Sequence, residues 1–453
     1  MNELFDSYFK SLIGKKIVVL GLGVSNRPLV RLLLRYGCHV TGCDRTPREK
    51  LDSDVLALEA DGCQLRVGDT YLDDLTADVV FRTPGMHPAH PALEALRVSG
   101  AKITSEMEIF FELCPCKIIA VTGSDGKTTT ATLIAEFLKA AGKTIYLGGN
   151  IGTPLLPVCD QMTADDIVVV ELSSFQLMDM ERSAHVAVIT NLSPNHLDVH
   201  KDMEEYLTAK KNIFKYQTAA DKLILNADNA ITATYRGNGT TRFFSRKANA
   251  DACLKGDEIF CDGAKVVEKC DILLPGEHNV ENYMAAILAV EGLVENDVIR
   301  QVAKTFGGVE HRIELVRVKD GVRFYNDSIA SSPSRTIAGL RSFPEKVLLI
   351  AGGYDKHIPY DVLGPEICKH VKTVFVNGAT GKQIRESVER SAEYTPGKPE
   401  IVDCADFADA VSKAAAAATA GDVVLMSPAS AAFDQFKNFM ERGKYYKKLV
   451  MEL

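Results

Sequence analysis

The chain has 453 residues, 46% of them hydrophobic and 25% charged, which is typical of a globular protein with about three domains. Its 52 basic and 60 acidic residues give a diffuse net charge of −8, which disfavours a protein that binds nucleic acid through a basic patch. The 11 cysteines have no metal-ligand spacing, no apolar run approaches the ~18 residues of a membrane helix, and the N-terminus lacks signal-peptide features. We therefore expect a cytoplasmic protein with reduced cysteines and with neither a nucleic-acid nor a membrane partner.

Predicted strands alternate with helical segments along the whole chain, which indicates parallel α/β sheets. We predict a small Rossmann-like domain over residues 1–112, with strands at Lys16–Gly21, Cys38–Asp44 and Val79–Thr83 and a helix at Pro28–Tyr36. The first strand ends in glycines, and the second ends in an acidic residue.

A central domain with a P-loop ATPase-like fold is predicted over residues 113–310. Its strands are Lys117–Thr122, Ile167–Glu171, Val186–Asn191 and Lys222–Asn226, with helices to about Ala141 and at Asn279–Val290 and a β-rich excursion at 239–273. A second Rossmann-like domain follows over residues 311–453, with strands at Val347–Ile350, Thr373–Val376 and Val423–Met426. The predicted fold is thus three consecutive α/β domains.

A glycine-rich segment joins the strand Lys117–Thr122 to the next predicted helix. It reads TGSDGKTTT over residues 122–130, so backbone amides and a helix N-terminus would face a polyphosphate. The loop is shorter than the usual GxxxxGK[ST] pattern, since Val121 stands where that pattern has its first glycine. We expect ATP to bind here, with Lys127 on the β- and γ-phosphates and the Thr128 hydroxyl on Mg²⁺. The predicted nucleotide contacts in the loop are Gly123, Ser124, Asp125, Gly126, Lys127, Thr128 and Thr129.

One lysine lies on the apolar side of a helix predicted over Met203–Tyr216. At about 100° per residue, Lys210 falls within the apolar stripe, whereas Lys211 lies about 90° away. Two interpretations stay open: the side chain extends past the apolar edge into solvent, or it is a desolvated amine with a lowered pKa. Such an amine can react with CO₂ to give a carbamate, an anion that can bind a metal ion. The stripe consists of Met203, Tyr206, Leu207, Ile213 and Phe214.

Two further candidate metal ligands follow predicted strands of the central domain. Glu171 ends one strand and His196 lies shortly after another, at the sheet edge where α/β proteins bind ligands. With Thr128 and a carbamylated Lys210, they would supply oxygen and nitrogen ligands for one or two Mg²⁺ ions. For His196, a structural role is the alternative.

Several segments resemble the Mur ligase family, the ATP-dependent enzymes that add amino acids to peptidoglycan precursors. The central ones are TGSDGKTTT, GGNIG (148–152), ELSSFQL (171–177), NHLD (195–198), AK (209–210) and GEHNVENYMAA (276–286). The terminal ones resemble members that add D-glutamate to UDP-N-acetylmuramoyl-L-alanine: GLGVS (21–25), EHR (310–312), NDS (326–328), GGYDK (352–356) and SPASAAFDQFKNF (427–439). The resemblance covers essentially the whole chain.

The resemblance also implies roles for individual residues. The implied catalytic set is Lys127, Asn150, His196, Lys210 and Arg312, with Glu171, His196 and carbamylated Lys210 completing the metal sites. Arg312 would reach the γ-phosphate, while Asn279, Asn282 and Asp327 would hold the adenosine of ATP. The nucleotide-sugar substrate would contact Gly23, Ser25, Asp44, Arg45, Thr46, Thr83, Pro84, Gly85, Asn150 and Ser173. D-glutamate would contact Lys356, Ser430, Phe433 and Phe439.

The implied reaction passes through an acyl phosphate. The L-alanine carboxylate would attack the γ-phosphate of ATP, and the amine of D-glutamate would then attack the acyl phosphate. ADP and phosphate would be released, and the enzyme would act as a monomer.

Two positions depart from the family pattern. Ile329 follows NDS where many relatives have lysine, and Ala432 occupies the position of a glutamate-binding serine, with Ser430 two positions earlier.

Other functions fit the sequence less well. Gly21 and Gly23, with Asp44 at a strand end, suggest a nicotinamide dehydrogenase, but Asn26 occupies the position of the third glycine. A regulatory ATP-binding protein would give no reason for Lys210 within an apolar stripe. Among ligases, the L-alanine-adding Mur ligase is the nearest alternative, and folylpolyglutamate synthetase lacks the first domain.

Overall fold

The computed structural model describes residues 3–197 and 199–453, which form three sheets with flanking helices. Asp198, the last residue of the NHLD segment, lies outside the described residues. The chain divides into two compact units, one with residues up to Val266 and Glu281–Ile299, the other with Val267–Val280 and Arg300–Leu453. The α/β class is confirmed, whereas the three domain boundaries remain predictions.

The first sheet has five parallel strands in the order β3-β2-β1-β4-β5. Its centre is β1, whose apolar residues after Lys16 are all buried because helices cover both faces. Its strands are β1 (Lys16–Leu20), β2 (His39–Asp44), β3 (Gln64–Val67), β4 (Val79–Phe81) and β5 (Lys102–Thr104). Its helices are α1 (Glu3–Lys10), α2 (Asn26–Arg35), α3 (Ser53–Ala60), α4 (Pro91–Val98) and α5 (Glu106–Leu113).

The second sheet has nine strands in the order β14-β13-β12-β11-β10-β9-β6-β8-β7. Seven of its strands pair in parallel with their neighbours, and β13 (Glu258–Cys261) is antiparallel to β12. The seven parallel strands are β6 (Lys117–Thr122), β7 (Ile145–Gly149), β8 (Ile167–Glu171), β9 (Val186–Ile189), β10 (Lys222–Asn226), β11 (Thr240–Ser245) and β12 (Ala252–Lys255). With β14 (Ala264–Glu268), the last four strands confirm the predicted β-rich excursion. The helices of this segment are α6 (Lys127–Ala140), α7 (Ser174–Leu177), α8 (Met203–Lys215), α9 (Glu277–Ala289) and α10 (Asn296–Ala303).

The third sheet has six strands in the order β15-β16-β20-β17-β18-β19, and only its β15–β16 pair is antiparallel. The strands are β15 (Glu314–Lys319), β16 (Val322–Asn326), β17 (Val347–Gly352), β18 (Val371–Asn377), β19 (Glu400–Asp403) and β20 (Val423–Met426). The helices are α11 (Pro333–Leu340), α12 (Leu363–His370), α13 (Gly381–Glu389), α14 (Phe407–Ala417) and α15 (Phe439–Glu452).

Apolar residues from the first two sheets form one continuous core, and the third sheet has a core on each face. The central strands are buried on both sides, which is why they read as uninterrupted apolar runs in the sequence. Among the described residues, no helix combines the length and the apolar composition needed to cross a bilayer.

A buried carboxyl group in this core makes stability depend on pH. Glu106 begins α5, and its Oε1 accepts a hydrogen bond from the Leu156 N–H at 3.0 Å. Burial raises the pKa of Glu106 to about 7, although this hydrogen bond opposes the shift. The folded protein therefore keeps a proton that the unfolded chain releases near pH 4.5, so the wild type loses stability as pH rises from about 5 to 7.

We expect Glu106→Gln to remove this loss, because the amide oxygen can still accept from Leu156 and carries no charge. The difference in the free energy of unfolding, variant minus wild type, should be larger at pH 8 than at pH 5 by on the order of 2 kcal/mol. Thermal unfolding followed across that range measures the difference. A difference between the two proteins that stays constant with pH would contradict the prediction.

Candidate functional site

The glycine-rich loop after β6 is held in a shape that only glycine tolerates. Gly126 has φ +78° and immediately precedes α6, and a Cβ atom there would lie 2.3 Å from Asn282 Oδ1. At Gly123, with φ +150°, a Cβ atom would lie 2.0 Å from Thr190 Oγ1. The loop is therefore packed closely against its neighbours, with the positive end of the α6 dipole directly behind it.

The lysine of the loop lies over the loop's own carbonyl groups. Lys127 Nζ donates hydrogen bonds to Gly123 O at 3.0 Å and to Ser124 O at 2.9 Å. A bound polyphosphate would offer this ammonium group charged acceptors in place of neutral ones. Of the other loop residues, Asp125 is exposed and Thr129 is half-buried.

Three predicted site residues meet at the carboxyl end of the second sheet. Thr128 Oγ1 donates to Glu171 Oε2 at 2.8 Å, and Asn150 Nδ2 donates to Glu171 Oε1 at 3.0 Å. Because β6, β8 and β7 are parallel neighbours, the residues after them share one edge, and the Gly149 turn approaches the Glu171 carbonyl too closely for any Cβ. Ser173, also predicted here, caps α7 in a capping box with Gln176.

Lys210 points into the protein from α8, as the helical periodicity allowed. Its side chain is 2% exposed, and Nζ donates to Thr122 Oγ1 at 3.1 Å and to Gly123 O at 2.9 Å. Its ammonium also lies 5.0 Å from the centre of the Tyr206 ring. The adjacent Lys211, about 100° further round the helix, is exposed. The interpretation that Lys210 extends into solvent is therefore wrong.

The electrostatic surroundings of Lys210 favour a neutral amine. Burial and, after it, the positive charge of Lys127 lower the pKa of Lys210 to about 7, while Glu171 and Asp125 oppose the shift. These interactions also mean that the amine lies within electrostatic range of the phosphate loop and of Glu171. Near neutral pH a substantial fraction of this lysine is uncharged and nucleophilic.

One histidine, His196, lies within the NHLD segment and another, His200, follows it, and the structure gives them different environments. His196 is exposed, with φ +55°, and its ring lies 5.0 Å edge-on from that of Phe175. His200 is buried, stacks on Phe175 at 5.4 Å, and has Nε2 hydrogen-bonded to Ser174 Oγ at 2.9 Å. Sequence reasoning missed His200, because neither its burial nor its contact with α7 has a local signal.

The number of Mg²⁺ ions that this site suits depends on the chemistry of Lys210. Among residues 3–197 and 199–453, no three His, Cys, Asp or Glu side chains are grouped closely enough to hold a metal ion. Thr128 and Glu171 supply hard oxygen donors, which Mg²⁺ prefers. A protonated Lys210 cannot be a ligand, but a carbamate on its nitrogen would add a second carboxylate-like group. Thr128 and Glu171 therefore fit one Mg²⁺ that also binds water and phosphate oxygens, and the modification would supply an anionic ligand for a second ion.

Comparison with known proteins relates the whole chain to one family. A family model described as Mur ligase middle domain matches residues 121–290, and one described as Mur ligase, glutamate ligase domain matches residues 311–430. UDP-N-acetylmuramoylalanine–D-glutamate ligases from Acetivibrio thermocellus and Clostridium kluyveri are 52% and 47% identical to this chain, with 99% and 100% of both chains covered. The chain belongs to the Mur ligase family.

Solved structures agree with this fold. The UDP-N-acetylmuramate–alanine ligase of Thermotoga maritima has a TM-score of 0.58 at 18% identity, over 97% of this chain and 99% of that one. The MurF ligase of the same organism, solved in complex with ADP, has a TM-score of 0.55 at 18% identity, over 100% of both chains. At this level of identity the likeness concerns the fold.

In this Mur ligase, the turn after β1 adjoins the loop after β4. Gly21 has φ +77°, and a Cβ atom there would lie 2.8 Å from Thr83 Cβ. Asn26, which stands where a nicotinamide dehydrogenase has its third glycine, is buried. Its side-chain amide donates hydrogen bonds to the carbonyls of Leu20 and Gly21. The other predicted residues here are exposed (Gly23, Arg45 and Gly85) or partly buried (Ser25, Thr46 and Pro84).

Asp44 organises the same edge of the first sheet. Its carboxylate accepts from the Leu22 N–H at 2.8 Å and from the Thr46 N–H at 2.9 Å. Burial alone would raise the pKa of Asp44, but these backbone hydrogen bonds outweigh it and lower the pKa. The carboxylate is therefore ionised and fixes the two turns around it.

In the second compact unit of this Mur ligase, Arg312 lies in a strained segment. It is half-buried between His311 at φ +66° and Ile313 at φ +44°, and a β-branched residue rarely adopts such a conformation. Asp327 is buried, accepts from Ser427 Oγ at 2.7 Å and from the Ile313 N–H at 3.3 Å, and burial raises its pKa to about 7.

The two asparagines of the GEHNVENYMAA segment have different neighbours. Asn279 Nδ2 donates to Pro275 O at 2.7 Å, within the second compact unit. Asn282 Oδ1 accepts from Thr130 Oγ1 at 3.2 Å and adjoins Gly126, so it borders the phosphate loop. Their predicted adenosine contacts remain predictions.

The predicted D-glutamate residues lie after two neighbouring strands of the third sheet, Lys356 after β17 and the others after β20. Lys356 is exposed, whereas Ser430 is buried, with Oγ 2.8 Å from Tyr360 OH and 2.7 Å from Thr380 Oγ1. Phe433 is 60% exposed, and Phe439 is half-buried. The Ser430 hydroxyl is thus already hydrogen-bonded within the protein.

The two departures from the family pattern lie close to an arginine that sequence reasoning missed. Ala432 is buried, and the Ile329 N–H donates to His311 O at 3.1 Å. Arg442 is 1% exposed and donates to the carbonyls of Ser328, Ser430 and Ala431. Burial lowers the pKa of Arg442 to about 10. Arg442 therefore fixes the backbone immediately before Ile329 and immediately before Ala432.

Proposed function

We propose that this chain is the ligase that joins D-glutamate to UDP-N-acetylmuramoyl-L-alanine at the expense of ATP, in peptidoglycan precursor synthesis for cell-wall growth and division. The relatives named for this activity match it over essentially their full length at about half identity. The observation that carries the proposal is the convergence of the phosphate loop, Glu171 and buried Lys210 at one sheet edge. That arrangement suits the joining of two anions through phosphoryl transfer.

In the proposed reaction, the loop residues hold ATP through backbone amides and Lys127. Thr128, Glu171, His196 and carbamylated Lys210 would hold one or two Mg²⁺ ions, which would screen the negative charges of the phosphates and of the acyl carboxylate. Asn150, which is hydrogen-bonded to Glu171, would contact the acyl end of the nucleotide-sugar substrate. His196 would ligate metal or orient groups, with no role as general base.

The carbamate forms by simple addition. The lone pair of neutral Lys210 Nζ bonds to the carbon of CO₂, one C=O π pair moves to oxygen, and the nitrogen releases a proton to water. The lowered pKa of Lys210 supports this step, because the protonated amine has no lone pair to donate. The product is a buried anion beside the hydroxyl of Thr122.

The ligation then needs two displacements. The L-alanine carboxylate oxygen bonds to the γ-phosphorus while the bond to the ADP oxygen breaks, with Lys127 and Arg312 stabilising the charge. The D-glutamate nitrogen next attacks the acyl carbon, and the tetrahedral intermediate expels phosphate and loses a proton. Lys356, Ser430, Phe433 and Phe439 would hold the D-glutamate.

Arg312 must approach the γ-phosphate, so we propose that the domain over residues 311–453 closes on the domain over residues 113–310 during the cycle. The strained backbone on both sides of Arg312 supports a hinge there.

We also propose that the enzyme acts in the cytoplasm as a monomer. All 11 cysteines are free thiols, which is compatible with a reducing compartment.

Phosphate release tests the proposal directly. We expect release from ATP only when UDP-N-acetylmuramoyl-L-alanine and D-glutamate are both present, because each acyl phosphate needs an acceptor amine. A panel of D- and L-amino acids measures the acceptor, and UDP-N-acetylmuramate with L-alanine tests the sister activity. Turnover with that second pair alone would replace the proposed function by the L-alanine-adding one, and hydrolysis that ignores both pairs would refute it.

A further inference from the structure

A buried arginine joins the first sheet to the second within one compact unit. Arg82 follows β4 directly, immediately before Thr83, and its side chain is 1% exposed. Its Nε donates to Asp179 Oδ2 at 3.1 Å, and its Nη2 forms an ion pair with the other carboxylate oxygen. The pair is therefore bidentate, with the planar geometry that only arginine offers.

The same guanidinium group also holds three backbone carbonyls. Nη1 donates to Thr83 O at 3.1 Å and to Met86 O at 2.6 Å, and Nη2 donates to Phe175 O at 3.4 Å. Two of these acceptors belong to the loop after β4, and the third belongs to α7. A guanidinium group shielded from water needs such partners, since a buried unpaired charge is costly. Arg82 therefore fixes the loop after β4 against α7.

A second contact fastens the other end of this loop. His87 Nε2 lies 3.3 Å from Glu205 Oε1, and Glu205 belongs to α8, the helix that carries Lys210. Residues 82–87, which we call the substrate loop, are thus attached at one end to α7, shortly after Glu171, and at the other end to α8. Of these two helices, α8 carries Lys210, and α7 begins three residues after Glu171, the last residue of β8.

We propose that Arg82 is a positioning residue, which through Asp179 sets the substrate loop relative to Glu171 and so places the acyl end of the nucleotide-sugar substrate at the phosphate loop. The inference rests on the proposed function, in which Thr83, Pro84 and Gly85 contact that substrate. It extends that function to a side chain that touches no reactant. A shift of the loop by about 1 Å would misalign the acyl carboxylate and the γ-phosphate.

The test is Arg82→Lys, which keeps the positive charge but loses the bidentate fork. We expect kcat/KM for UDP-N-acetylmuramoyl-L-alanine to fall about tenfold or more, while KM for ATP stays within about twofold. Asp179→Asn should act in the same direction, and the double variant should be little worse than either single one, because all three break the same contact. Arg48→Lys is the matched control, since Arg48 forms an exposed ion pair with Glu59 in the same sheet region.

Titration with a fluorescent ATP analogue shows whether each variant retains a folded phosphate loop. If Arg82→Lys binds the analogue normally and all its kinetic parameters match the wild type, or if kcat alone falls with the fraction of folded protein, the positioning role is refuted. Failure of the proposed function is a separate result, because the wild type and Arg48→Lys would then show no turnover with D-glutamate.

Discussion

Lys210→Ala should lower ligase turnover by about 100-fold or more and leave ATP binding close to that of the wild type. The variant loses the amine that would become the second anionic metal ligand, whereas the amides and Lys127 of the phosphate loop remain. Phosphate release measures turnover, and titration with a fluorescent ATP analogue measures binding.

The chain offers a matched control on the same helix. Lys211→Ala removes the same side chain one position later, from the exposed side of α8, and should keep wild-type turnover. The wild type should also lose activity in CO₂-free buffer and regain it when bicarbonate is added, since the carbamate is reversible. Unchanged turnover in Lys210→Ala would refute the assigned role, and indifference to CO₂ would refute the carbamate.

Gly126→Ala should weaken ATP binding by about tenfold or more, with turnover falling accordingly. The methyl group would lie 2.3 Å from Asn282 Oδ1, and alanine at φ +78° is itself strained by roughly 1–2 kcal/mol. To relieve the contact, either the Asn282 side chain must give up its hydrogen bond with Thr130 or the loop must move its amides away from the phosphate position. Nucleotide titration of the purified variant measures the loss.

Gly142→Ala separates crowding from backbone strain. Gly142 lies just beyond the other end of α6 with φ +74°, and a Cβ atom there would meet no atom within 4 Å. This variant should lose stability by roughly 1–2 kcal/mol without any change in ATP affinity. Equal ATP affinities for the two variants would contradict the argument from Asn282.

Much of the fold could be predicted because its central strands are buried on both faces. The strands Lys117–Thr122, Ile167–Glu171 and Val423–Met426 have the predicted bounds, since each apolar run stops at a polar residue. The shorter strands β3 and β5 were missed, because edge strands of three or four residues alternate too briefly to give a period.

The candidate site divides in the same way. The position of Lys210 on the apolar face of its helix follows from periodicity alone, and the structure shows it buried under the phosphate loop. No local sequence pattern predicts that Arg82 and Arg442 are buried, because each is hydrogen-bonded to carbonyl groups from other parts of the chain. A buried arginine looks like any other charged residue until its acceptors are known.

The sequence by itself determined that a phosphate loop follows an apolar strand and that a lysine lies within the apolar stripe of a helix, because both are features of neighbouring residues. Only the tertiary structure decided that Thr128 and Asn150 share the carboxylate of Glu171 and that Arg82 reaches Asp179. These contacts depend on strand order, in which β6 lies between β8 and β9, and that order is set by packing among distant segments.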